Sequence, residues 1–336
     1  MIRLGKTDTV TKNYMRDPVI FADAFNKFLY RGKQVIRPEN LTEIDAAEIA
    51  VPYGEGGAGV PEQKYRDVLK LAMTDGNTAY CILGCEGQND VHYAMPVRNI
   101  TYDAIQLTRQ VSEAAKSHRR EKDRSGGRTE RRLSAEEYLS GFYKTDRLLP
   151  VVTLVIFFGP EKWDGPLTLK EMYAPADEAV LKYAPDYRVN LIAPEQMTDD
   201  EISEFKTSLK EVMLYIKYSR DKDRLQKTVL AEPGFRNLDR QAAEVINAAT
   251  NSKLKYPQGK GTIDVCAAIE EMKMDSRQEG WQEGRQEGRT EGEMKGAVET
   301  YMEFQLPLQE AVRRIAEKFS ISLEQAGKEV NKYWKS

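Results

Sequence analysis

Cysteine and histidine are scarce: 336 residues contain three of the first and two of the second. Cys81, Cys85 and Cys266 cannot pair evenly, and with His92 and His118 they make no zinc-ligand spacing. The expectation is reduced core thiols in a cytoplasmic protein. Long apolar runs are missing as well. None approaches the roughly 20 residues a membrane helix needs, and the first residues show no apolar signal core. Nor does one sign of charge prevail, since 50 Lys and Arg stand against 53 Asp and Glu. The chain as a whole therefore does not look like a nucleic-acid binder. What is present, 40% hydrophobic and 31% charged residues, suits a soluble chain of one large or two moderate domains.

The chemistry is concentrated in a short stretch. Tyr65 to Ala72 reads as one strand, Asp75-Gly76-Asn77 supplies turn residues, and Thr78 to Gln88 (TAYCILGCEGQ) reads as a second strand. Side chains alternate along a strand, so Glu86 and Gln88 share a face. A hairpin would bring Asp67 beside them, although Asp67 lies nineteen residues before Glu86. Two carboxylates converging at the end of a sheet, with a third polar group, suit a hard divalent cation and point to metal-assisted phosphodiester cleavage. The plain alternative is a pair of solvated acids on neighbouring strands.

The surrounding text favours the first reading. FADAFNKFLYRGKQVI from Phe21, YRDVLKLA from Tyr65, CEGQNDVHYAMPVRNITYDAIQ from Cys85 and YLSGFYKTDRLLPVVTLVIFFGPEKWDGPLTLKEM from Tyr138 resemble the recombination-promoting nuclease/putative transposase family, a branch of the PD-(D/E)XK nucleases. The resemblance covers most of the chain. It implies an α/β fold: a restriction-endonuclease-like core with a mixed central sheet flanked by helices, plus a helical C-terminal appendage. It also implies a Mg²⁺-dependent DNA endonuclease, with Mn²⁺ able to substitute. Asp67 and Glu86 become metal ligands, Gln88 takes the motif position usually held by Lys, and Asp23 on the first helix completes the metal shell. Arg98 and Tyr102 match positions the family retains and are candidate DNA contacts, although for Tyr102 a core role with its hydroxyl satisfied is the favoured reading. Arg66 stands where the superfamily name would put proline. His92 lies in a loop that reads as too exposed for a general base, and the base stays unassigned. The rival reading is a catalytically idle DNA-binding or assembly protein on the same scaffold.

The remaining segments fill in the architecture. Phe21, Phe25, Phe28 and Leu29 make a helical stripe, and Glu39 to Gly59 reads as a loop. Pro96 opens a helix to about Lys116, with Arg98 and Tyr102 on one face. Lys116 to Arg132 carries eight basic and three acidic residues. This looks like a basic loop or frayed helix end, in which Arg119, Arg120 and Arg124 are candidate phosphate contacts. Leu149 to Phe158 fits a central strand buried on both faces, and Tyr187 to Ala193 fits another. Thr198 opens a capping box before a stripe of Phe205, Leu209, Val212, Met213 and Ile216. Shorter helices are expected over Arg240 to Ala249 and Ile263 to Met274.

The organisation expected is a nuclease core over 1–194, a helical region packed on it over 195–275, a Glu-Gly repeat over 276–296 and a helical hairpin over 297–336. The repeat (RQEG, WQEG, RQEG, RTEG, EMKG) places glycines at 280, 284, 288, 292 and 296. It reads as a self-associating helix or a flexible spacer, since each glycine costs about 1 kcal/mol against alanine. Self-association would make the protein a homodimer. A capping box at Ser322 starts the last helix, and the hairpin suits a protein contact at least as well as a helix-turn-helix reader.

Overall fold

A computed structural model describes residues 6–44, 47–50, 62–65, 67–124, 134–255 and 261–334. The Gly-rich 51–61, the basic 125–133 and Arg66 lie outside the described residues. In chain order the chain forms α1 (Lys6–Arg16), α2 (Pro18–Tyr30), β1 (Leu41–Glu43), β2 (Ala47–Ala50), β3 (Glu62–Tyr65), β4 (Val68–Met73), β5 (Ala79–Gln88), α3 (Met95–Arg124), α4 (Ala135–Ser140), β6 (Val151–Phe157), α5 (Glu178–Leu181) and β7 (Asn190–Ile192). There follow α6 (Asp199–Ser203), α7 (Leu209–Tyr218), α8 (Lys222–Ala231), β8 (Leu238–Asp239), α9 (Arg240–Thr250), β9 (Thr262–Ile263), α10 (Val265–Glu303), α11 (Leu308–Phe319) and α12 (Leu323–Tyr333).

Five strands form a mixed sheet in the order β1-β4-β5-β6-β7. β1, β4 and β5 pair antiparallel, while β5, β6 and β7 run parallel. The Asp75-Gly76-Asn77 turn forms as its residues demand: Asn77 takes φ +60°, a left-handed conformation that Asn tolerates, and donates its N–H to Thr74 O at 2.9 Å. β6 is the apolar strand expected at the centre, with Leu154, Val155, Ile156 and Phe157 all buried between two parallel neighbours. Helices cover both faces near the strand ends. Thr11 of α1 packs on the side of β5 toward which Gly87 points, and Arg98 of α3 meets Glu86 on the other.

Several local expectations are corrected. The stretch from Tyr65 to Ala72 is not one strand: β3 pairs with β2 in a separate ribbon, and Asp67 stands just before β4. The expected loop from Glu39 to Gly59 contains β1, the sheet edge, and β2. The helix opened by the Thr198 capping box stops at Ser203 and resumes at Leu209. The cause is Asp23, a buried carboxylate on α2 that accepts Lys206 N at 2.9 Å and Thr207 N at 2.9 Å. Those N–H groups face a remote acid and not the preceding turn. The same junction fixes Gly32 (φ +79°), where an added Cβ would lie 2.6 Å from Glu204 O.

The chain divides into two compact units, Met1–Ala268 and Ile269–Ser336, so residues 195–268 belong with the core. The Glu-Gly repeat is helical throughout, within α10. The second unit has its own core: Met294, Val298, Ile315, Ala326 and Val330 are buried, with Phe319 and Trp334 against them. The Ser322 capping box forms as expected. No described helix is long and apolar enough to cross a membrane.

Candidate active site

The hairpin register decides the site. Val68 pairs with Cys85, which sets Asp67 at the end of β4 next to Glu86 and Gly87 of β5. Asp67 Oδ2 accepts the Gly87 N–H at 2.8 Å, so the carboxylate is held by backbone. Burial pushes its carboxyl above the usual range. The Gly87 N–H, then the charges of Lys12 and Arg98, pull the other way, and Asp8 adds to the rise.

Glu86 is fully buried, on the face toward α3. A charge there needs a partner, and Arg98 supplies it: Nη2 lies 2.9 Å from Glu86 Oε2. Arg98 and Tyr102 share a helix face as the spacing required. Nε donates to the Tyr102 hydroxyl at 3.1 Å, and the guanidinium carbon sits 5.7 Å from the ring centroid. Burial opposes the Arg98 charge, but Glu86, Tyr102 and Asp67 outweigh it and hold the group above the ordinary arginine range. Tyr102, a candidate DNA contact in the sequence, is 3% exposed. It orients Arg98 from within the core. Arg119, Arg120 and Arg124 are exposed on the last turns of α3.

Gln88 ends β5. Its Nε2 donates to Gly87 O at 3.0 Å, and its backbone carbonyl accepts Phe158 N at 2.7 Å. The amide therefore lies along its own strand. His92, set aside as an exposed loop residue, is half-buried with its Nδ1 enclosed and without a hydrogen-bond partner. Burial, and next the Arg98 charge, lower its pKa.

Asp23 is not brought to this constellation. Its Oδ1 accepts Lys206 N at 3.0 Å, and its Oδ2 accepts Lys206 N, Thr207 N and, at 2.7 Å, Thr207 Oγ1. A carboxylate so held anchors the α6–α7 junction, and among the described residues it does not converge with Asp67 and Glu86. Besides α3, the helix that reaches the site is α1, which sequence reasoning missed. Lys12 Nζ lies 4.0 Å from Asp67 Oδ1, and Asp8 Oδ1 accepts Asn89 Nδ2 at 2.7 Å. Its signal was available: Val10, Thr11, Tyr14 and Met15 recur at helical spacing, and the last three are buried.

These residues fit a hard divalent cation by donor type. Asp67 and Glu86 offer carboxylate oxygens at one sheet end, Asp67 Oδ1 carries among the described residues only the long contact to Lys12, and Glu86 already sits in surroundings that hold a cation against it. Mg²⁺ takes one or two protein carboxylates and keeps several waters. Among the described residues no three His, Cys, Asp or Glu side chains converge on one point. Compared with protein-family models, curated proteins and solved structures, the chain matches none of them.

Proposed function

We propose that this chain is a Mg²⁺-dependent DNA endonuclease of low sequence specificity. The core would be restriction-endonuclease-like, of the recombination-promoting nuclease/putative transposase kind, acting in the cytoplasm. The observation that carries the reading is the β4–β5 register, which sets Asp67 beside the Glu86–Gly87 end of β5 with Arg98 acting on both acids. Asp67 and Glu86 would hold the metal, which when bound polarises the scissile phosphate and lowers the pKa of a water. Arg98, pinned by Tyr102, pairs with Glu86 and fixes its direction. With its Nε2 on Gly87 O, Gln88 retains Oε1 to accept a hydrogen bond from a water. Arg119, Arg120 and Arg124 neutralise phosphates along the flanking DNA.

Cutting both strands with one metal site per chain calls for two chains. The exposed glycine stripe of α10 is the proposed seam of a homodimer. The test is nicking of supercoiled plasmid with Mg²⁺ or Mn²⁺ and its arrest by chelator. Asp67→Ala and Glu86→Ala are each expected to abolish it, and nicking that survives in the double variant refutes the proposal.

A second reading, an idle nuclease scaffold that binds DNA or organises an assembly, is favoured by the Gln88 amide turned onto backbone and by the Arg98–Glu86 pair. Calorimetric titration with Mn²⁺ separates the two. Binding that depends on Glu86 supports the enzyme, and absent binding supports the scaffold.

A further inference from the structure

Among the described residues two cations stand at the Asp67–Glu86 end of the sheet, and they are not equivalent. Arg98 is committed, with Nη2 on Glu86 and Nε on Tyr102. Lys12 is not. Its Nζ is 4.0 Å from Asp67 Oδ1, beyond hydrogen-bond length, and its side chain makes no hydrogen bond among the described residues. It is nonetheless held in place. Tyr14 and Met15, each 1% exposed, fix α1, and Thr11 Oγ1 would lie 3.5 Å from a Cβ built on Gly87. The Lys12 side chain is 26% exposed, so its stem is packed while the ammonium keeps access to solvent. The Gln88 position offers no charge to compete with it.

We infer that Lys12 is a catalytic residue of the proposed nuclease: its ammonium, delivered from α1, binds a non-bridging oxygen of the DNA phosphodiester at Asp67. The inference rests on the nuclease reading for the word catalytic, but the phosphate contact stands on the geometry alone. A compact ammonium suits this task as a point charge with three donors. It holds the phosphate as charge builds on it and transfers no proton.

Two measurements test it, one of them independent of turnover. In chelator, binding of a labelled duplex of about 20 base pairs is followed by fluorescence anisotropy from about 50 to about 200 mM salt. Lys12→Met is expected to reduce the slope of log affinity against log salt by about 0.9, the share of one phosphate. With Mg²⁺ present, the same variant is expected to lose about 100-fold in kcat, the usual consequence of removing one fixed group that stabilises developing charge. Mn²⁺ affinity should stay within about threefold, and Lys12→Arg should recover part of the rate. Adding Gln88→Lys to Lys12→Met, which returns an ammonium to the strand, should raise kcat again.

An unchanged salt slope overturns the inference, as does a wild-type chain that does not bind the duplex. Loss of kcat together with loss of Mn²⁺ affinity also overturns it, because Lys12 would then serve only to hold Asp67. If the slope falls as expected but the wild-type chain never nicks DNA, the phosphate contact stands and the nuclease reading fails.

Discussion

Replacing Arg98 by alanine would leave a carboxylate stranded in the core. The Glu86 side chain is 0% exposed and that of Arg98 29% exposed, so water reaches one partner and not the other. Removing one member of a buried pair costs about 3–5 kcal/mol, most of it the desolvation of the charge left behind. Water can enter the space vacated by a partly exposed guanidinium, which places Arg98→Ala near the lower figure, about 3 kcal/mol. Glu86→Gln is milder, at about 1 kcal/mol, because the orphaned guanidinium is the partner with solvent access. If the two residues acted independently, Arg98→Ala with Glu86→Gln would cost about 4 kcal/mol; coupling is expected to halve that.

Urea unfolding at neutral pH measures these losses. Trp163, buried at 3% in the first unit, serves as reporter once Trp281 and Trp334 of the second unit are replaced by phenylalanine. A loss below about 1 kcal/mol for Arg98→Ala, or strict additivity in the double variant, would refute the argument from burial.

Three further outcomes are expected. Burial raises the Asp67 carboxyl, so the folded chain keeps that proton to higher pH than the unfolded chain. Its contribution to stability is then lost as pH rises from the unfolded value through the folded one. Asp67→Asn should therefore be at least as stable as wild type at neutral pH by urea titration, yet inactive on plasmid; a clear loss of stability would contradict this. Asp23→Ala removes the acceptor of the Lys206 and Thr207 N–H groups and should cost about 3 kcal/mol, with Mn²⁺ affinity by calorimetry unchanged; a weakened affinity would return Asp23 to the metal shell. Alanine at Gly280, Gly284, Gly288 and Gly292, which have nothing within 4 Å to meet a Cβ, should raise helicity by circular dichroism, each residue gaining up to about 1 kcal/mol. The same variant should lose the dimer by light scattering, and a dimer that survives would show that the stripe is not the seam.

What the sequence determined by itself is whatever is written in short-range pattern. The apolar run at Leu149 to Phe158 fits an interior strand, and β6 lies between β5 and β7 in the sheet. Asp75-Gly76-Asn77 set a turn between two apolar runs, which carried Asp67 to the Gly87 end of β5. Thr198 and Ser322, each followed three residues later by a side chain that reaches back, started helices where expected.

The tertiary structure decided everything that depends on a partner far away in the chain. Asp23 on an amphipathic helix looks the same whether it faces a metal or caps a junction 183 residues away. Only packing put Lys206 and Thr207 against it, and that also broke the helix their sequence would have continued. Arg98 carries no mark distinguishing a DNA contact from the counter-charge of a buried glutamate. Lys12 drew no notice until α1 came to rest over Gly87. Periodicity and capping are local energies that a short window contains. The choice of partner for a charge follows from which groups burial strips of water together, and that is fixed only when the whole core has closed.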